Sequence, residues 1–325
     1  MTRLKKILYI IIAAFALFVA TLYNLPSSMR EAASFADFSQ QVAPGTIAAY
    51  SAFRERPVKR LERNGQIWTY RKHGTGPALL LLHGMGGEAD LWWQQIERYE
   101  KHFTVIAPTY PPARTLQGLS EGIIDILDAE NIDRTIVMGT SLGGYLTQYL
   151  LAQHPQRFER AALLNTFPPN DIIAEQNRLQ GWALRLLPEP AVFSIYRAGL
   201  EKRVLPASQN SPLLRAHLMT LASGSMTKEQ LYARYLCVME SFQPAAPSIP
   251  MLIVDSDNDP LVNEQLREML VGTYPQAKRV TLHEAGHFPY ISHSDQFHSV
   301  IDGFLYDHSH AAPISSPIPS PRLSP

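Results

Sequence analysis

The stretch that decides the fold is Thr135-Ile136-Val137-Met138-Gly139-Thr140-Ser141-Leu142-Gly143-Gly144-Tyr145-Leu146-Thr147-Gln148-Tyr149-Leu150-Leu151. Four apolar or β-branched residues read as a buried strand, the glycines as a sharp turn, and the run from Gly144 to Gln153 as a helix. A serine between Gly139 and Gly143 on such a turn stands proud of the sheet, where its hydroxyl is free to attack. Ser141 is therefore the candidate nucleophile. A second G-x-S-x-G, Gly118 to Gly122, follows residues that read as a loop, so Ser120 is expected near a helix start rather than at a reacting centre.

Working outward, short β-type runs alternate with helical patterns, which is the signature of a sheet with crossover helices. The strands expected are Gln66–Arg71, Ala78–Leu82, Phe103–Ala107, Thr135–Met138, Arg160–Leu164, Met251–Asp255 and Arg279–His283. Helices are expected over Leu119–Ala129, Gly144–Gln153 and Asn263–Gly272. Runs that are apolar throughout suit parallel strands covered on both faces. Between Phe167 and Pro250 helical patterns follow one another without a strand, as expected of an inserted helical cap.

His83-Gly84-Met85-Gly86-Gly87 comes straight after the strand Ala78–Leu82. Gly84 and Gly86 let the backbone approach a ligand. The amides of Met85 and Leu142 are the candidate oxyanion donors, with Gly84, Gly86, Gly139 and Gly143 as the glycines that make room for them. A serine needs a base, and the base an orienting carboxylate. After the strand Met251–Asp255 come Asp257 and Asp259. Asp259 is the first choice, Asp257 the reserve, and Asp255 a strand-end residue. His287, on the loop after the last strand, is the candidate base, whereas His283 ends that strand and His293 and His298 read as solvent-facing. His283-Glu284-Ala285-Gly286-His287 also matches the zinc motif H-E-x-x-H, but that chemistry needs both histidines on one helix face. A strand before it, Gly286 within it and Pro289 after it make the match a coincidence, so no metal is expected.

The ends differ from the middle. Ile7 to Tyr23 carries 17 residues without a charge, preceded by Arg3, Lys5 and Lys6. This reads as an N-terminal membrane anchor or signal over 1–29, with membrane contact through residues 7–25. The basic residues would keep the N-terminus cytoplasmic and put the rest on the periplasmic or exterior side, single-pass, or secreted if the segment is cleaved. Residues 30–60 read as a juxtamembrane linker, 61–167 and 249–307 as the two parts of the core, 168–248 as the cap and 308–325 as a disordered Ser/Pro tail. The 325 residues hold 29 Lys+Arg against 29 Asp+Glu with 46% hydrophobic residues. That balance argues against nucleic acid as a partner and for a chain that buries a core. Cys237, the single cysteine, cannot pair within the chain and reads as a small core residue.

These motifs in this order resemble the α/β-hydrolase superfamily over about Leu61 to Asp307. The resemblance implies a mostly parallel sheet with helices on both faces, a Ser141–His287–Asp259 triad, no cofactor, and a serine hydrolase cleaving a small acyl substrate such as a carboxylic ester, lipid-like if the cap is apolar. Val105-Ile106-Ala107-Pro108-Thr109-Tyr110-Pro111, Leu164-Asn165-Thr166-Phe167, Tyr274-Pro275-Gln276-Ala277-Lys278-Arg279 and Phe288-Pro289-Tyr290 look like the maspardin branch, regarded as protein-binding and catalytically silent. This chain departs from that branch by keeping Asp259 and His287, which favours catalysis. It departs from the wider hydrolase pattern with Ser256 where glycine is usual and Thr109 where aspartate is common, so Asp257 stays open beside Asp259.

Overall fold

The computed structural model describes residues 3–24, 33–245 and 247–306. The Ser/Pro tail expected over 308–325 lies outside them. Eight strands form one sheet: β1 (Lys59–Arg63), β2 (Gln66–His73), β3 (Ala78–Leu82), β4 (Thr104–Thr109), β5 (Thr135–Thr140), β6 (Phe158–Leu164), β7 (Met251–Ser256) and β8 (Lys278–Leu282). Their spatial order is β1-β2-β4-β3-β5-β6-β7-β8. β1 and β2 pair antiparallel, as do β2 and β4, and every pair from β4 to β8 is parallel.

The unbroken apolar runs follow from cover on both faces. In β3, Leu79 and Leu81 pack into one core with Trp93, Ile96, Phe297 and Ile301, while Leu80 and Leu82 enter a second with Leu119, Ile123, Leu146 and Leu150. Alternate side chains thus serve opposite layers. Each fully buried leucine contributes about 1.5–3 kcal/mol. Side-chain caps mark the two predicted helix starts: Thr115 accepts from the Gly118 amide before Leu116–Ala129, and Asn263 from the Leu266 amide before Glu264–Thr273. These caps set the ends within three residues of the predicted ones.

Between β6 and β7 the chain is helical: Ile172–Leu186, Glu189–Gly199 running on to Ala207, Pro212–Thr220 and Lys228–Met239. Cys237 is fully buried on the last of these, and burial pushes its thiol up to about 12, which makes it inert.

Two expectations for the N-terminal part are corrected. Among the described residues no helix is long and apolar enough to cross a membrane. Helix Arg3–Asn24 covers the apolar run, and its described apolar side chains are exposed apart from half-buried Val19. The 17 uncharged residues Ile7 to Tyr23 rise roughly 26 Å, short of a hydrocarbon core of about 30 Å. The transmembrane signal anchor, the membrane contact through residues 7–25 and the single-pass placement outside the cytoplasm are all withdrawn.

The described part of the segment read as a linker is structured and packed. A 3-10 turn Phe35–Phe38 and a helix Pro44–Arg54 bury Phe35, Tyr50 and Phe53. Strand β1 begins inside it and forms a two-residue hairpin with β2 through Asn64 and Gly65, both at positive φ (49° and 72°). That is the backbone demanded by a tight hairpin whose twist matches its strands.

Candidate active site

Ser141 sits between β5 and the helix Leu142–Gln153 with φ 53° and ψ −119°. Such a backbone costs a non-glycine residue about 1–3 kcal/mol and persists only where the surroundings enforce it. Here they do. The Ser141 amide donates to Leu164 O at 3.0 Å, and Ser141 O accepts from the Tyr145 amide and the Thr166 hydroxyl. Close packing demands the glycines: a Cβ at Gly139 would lie 2.2 Å from Gly143 O, and one at Gly143 2.1 Å from Leu82 O. The carbonyl four residues before the first-turn amide of Leu142, that of Met138, belongs to β5 and not to the helix, and this amide shares the helix's positive end with Ser141.

His83 follows β3 directly, fully buried and stacked on Tyr110. Its Nε2 accepts from the Tyr110 amide at 3.2 Å, so Nδ1 carries the hydrogen and donates to Gly84 O at 2.7 Å. Burial, helped by Arg234, holds its pKa well below the ordinary histidine value. Gly84 O also accepts from the Gly87 amide. In a trans peptide N–H and C=O point opposite ways, so the Met85 N–H is turned away from these donors. Gly84 lies against the serine, for a Cβ there would be 3.1 Å from Ser141 Cβ.

His287 is 2% exposed, and its Nδ1 lies 2.7 Å from Asp259 Oδ2. The same oxygen accepts from Asn165 Nδ2 at 3.0 Å, while Oδ1 accepts from the amides of Leu261 and Val262. Burial by itself would raise the Asp259 pKa, but the charge of His287 and the donors of His287, Asn165 and Leu261 outweigh it and hold it below the usual value. Asp257 is elsewhere, bonded on the surface to His283 and to the Glu284 amide. Asp255 is buried in an ion pair with Arg279 that links β7 and β8. The two histidines of the H-E-x-x-H match thus face different aspartates, and Glu284 and Gly286 have positive φ, which no helix allows. Ser120 lies on the buried face of Leu116–Ala129, where Gly122 makes room for the Trp68 ring. His298 corrects its reading as solvent-facing: it is buried with Nε2 3.1 Å from Gln95 Nε2.

Ser141, His287, Gly84, Met85 and Gly86 line one cavity of about 560 Å³ beneath the cap. Most of its wall is apolar, with Phe167, Leu184, Val192, Leu231, Val238 and Met239 among the contributors, and Arg203 brings a guanidinium to it. Among the described residues no acidic side chain lines it.

The roles of two residues of this region are not given by the sequence reading. Asn165, at φ 41° just after β6, ties Asp259 Oδ2, Ser256 Oγ and Gly286 O together. This gives the unusual Ser256 a use as an acceptor, just as Thr109 Oγ1 accepts from the Ala89 amide. A polar residue just past the carboxyl end of a parallel strand beside the serine's strand was the available signal. Arg234 is the other, on the buried side of a cap helix with Leu231 and Cys237.

A model of the alpha/beta hydrolase family matches residues 79–300. The putative carbamate hydrolase RutD of Serratia proteamaculans (strain 568) is 25% identical over 245 residues, covering 70% of this chain and 91% of that protein. The pimeloyl-[acyl-carrier protein] methyl ester esterase of Aeromonas hydrophila subsp. hydrophila is 26% identical over 257 residues, covering 72% and 97%. Among solved structures, a hydrolase from Pseudomonas aeruginosa PA01 superposes with a TM-score of 0.68 at 24% identity, covering 78% of this chain and 99% of the other, a likeness of fold.

Proposed function

Since the chain belongs to the alpha/beta hydrolase family, we propose that it is a serine hydrolase cleaving a carboxylic ester or related acyl compound through Ser141, His287 and Asp259. The observation that carries this reading is a serine on an enforced positive-φ turn in the same cavity as a histidine whose Nδ1 meets a buried carboxylate.

In this reading Ser141 Oγ attacks the substrate carbonyl while His287 Nε2 takes its proton, and Asp259 keeps the imidazole in the Nδ1–H tautomer and stabilises its cation. The amides of Met85 and Leu142 receive the oxyanion, a donor of this kind being worth about 2.7–4 kcal/mol. Collapse expels the alcohol or amine, protonated by His287, and leaves an acyl ester on Ser141. Water, deprotonated by His287, then releases the acid and restores the serine. The steps need no cofactor.

The cavity is of a size that buries a medium-sized ligand, and its apolar wall suits an acyl group with an apolar body. A carbamate offers the same attackable carbonyl, so the RutD relatives make carbamates a second substrate class to assay. The maspardin-like alternative, a silent protein-binding member, is disfavoured by the Asp259–His287 pair. The test is labelling of the full-length protein by a fluorophosphonate, with Ser141→Ala and Ser120→Ala, followed by p-nitrophenyl esters of increasing chain length and an aryl carbamate. Label should vanish only in Ser141→Ala. Folded wild type that takes no label would favour the binding role.

A further inference from the structure

Arg234 belongs to the cap helix Lys228–Met239, yet its guanidinium lies among the carbonyls of the core loops. The residue is 1% exposed. Nη1 donates to Met85 O at 3.1 Å and Gly87 O at 2.9 Å, and Nη2 donates to Tyr110 O at 2.9 Å. Burial lowers its pKa to about 10, which leaves it a cation at neutral pH. A buried cation is costly to desolvate, and these partners are main-chain carbonyls rather than a carboxylate. The fork geometry of a guanidinium suits it to holding several oxygens at fixed positions.

The carbonyls it holds flank the candidate oxyanion donor. The loop Gly84–Gly87 has three glycines in four residues and would otherwise sample many backbone states. His83 and the Gly87 amide fix the carbonyl before the Met85 nitrogen. Arg234 fixes the carbonyl after it. We propose that Arg234 is a positioning residue that seats the Met85 amide for the oxyanion, so that docking of the cap and assembly of the oxyanion hole are one event. This rests on the serine-hydrolase reading above. An oxyanion donor acts more strongly in the transition state than in the bound substrate, so misplacing it lowers kcat and leaves KM nearly unchanged.

The experiment uses full-length Arg234→Met and Arg234→Lys, with folding checked by near-UV circular dichroism and active sites counted by burst titration. It reads kcat and KM for p-nitrophenyl butyrate and the affinity of a trifluoromethyl ketone, whose carbonyl carbon bonds to Ser141 Oγ as the serine proton passes to His287. Expected for Arg234→Met is a kcat lower by about 10- to 100-fold, KM within about threefold, and ketone affinity falling in step with kcat, with Arg234→Lys in between. A purely structural clamp would not link the two losses. The proposal is overturned by unchanged kcat, by a rise in KM alone, or by a fall in kcat with ketone affinity intact. Should Arg234→Met not fold, Arg234→Lys is read by the same criteria. Wild type that neither takes fluorophosphonate nor turns over would refute the hydrolase reading instead, a different result from any of these.

Discussion

Replacing Asp259 by asparagine tests the site at its most constrained point. The carboxylate accepts four hydrogen bonds, two on Oδ2 from His287 and Asn165 and two on Oδ1 from the amides of Leu261 and Val262. An amide keeps one acceptor oxygen, so either orientation sets its NH₂ against two buried donors. Each buried donor left unsatisfied costs about 1–3 kcal/mol, giving a stability loss of about 2–6 kcal/mol. With the NH₂ toward His287, the ring escapes the clash by moving its hydrogen from Nδ1 to Nε2, and it can then no longer take the serine proton. Loss of the working tautomer costs about 10⁴-fold in kcat, or about 5 kcal/mol of barrier. With the amide reversed, the tautomer survives while the Leu261–Val262 turn is unseated, so stability suffers more than kcat. Steady-state kinetics with p-nitrophenyl butyrate and urea unfolding separate the two. Asp257→Asn, whose partners lie on the surface, should leave kcat within about twofold. Folded Asp259→Asn that keeps both wild-type stability and a tenth or more of wild-type kcat, or collapse of activity in Asp257→Asn, would refute the assignment.

Gly143→Ala places a methyl 2.1 Å from Leu82 O and 2.8 Å from His83 O; with backbone on both sides, the variant should lose more than about 4 kcal/mol or fail to fold. Gly272→Ala, with nothing within 4 Å in the helix Glu264–Thr273, should instead gain about 0.5–1 kcal/mol, and equal melting temperatures for the two would contradict the packing argument. His217 is buried between Phe35 and Tyr50, and burial, with Arg54 adding, lowers its pKa to about 3. Its folded pKa lies below the unfolded value of about 6.5, so the unfolded chain binds the proton first and stability falls as pH drops from about 6.5 toward about 3. His217→Phe should flatten that slope by up to about 1.4 kcal/mol per pH unit, and parallel urea midpoints for wild type and variant across this window would disprove it.

The core was legible because its signals are local. Apolar runs such as Leu79 to Leu82 mark strands buried on both faces, and the order of Ser141, Asp259 and His287 along the chain points to one site. Asn165 and Arg234 were not legible, since each acts on groups far along the chain: Arg234 reaches back to Met85, and Asn165 forward to Asp259 and Gly286. The N-terminal error was one of context. Ile47, Tyr50 and Phe53 recur at a helix-like spacing after Pro44, and Asn64-Gly65 is a hairpin signal, yet the charges of Lys59 to Arg63 masked an edge strand. The apolar run before them drew the reading toward a membrane, although its length falls short of one.

Residues 33–56 grip the molecule on two sides. Phe35 and Tyr50 pack on His217 of the cap, while Phe53 lies against Trp93, and Arg56 pairs with Glu100 of the core. Together with Arg234 this bolts the cap along two edges. A plate held so does not swing like a door. The helix Ile172–Leu186, which presents Gln176 and Gln180 to the cavity, carries none of these ties.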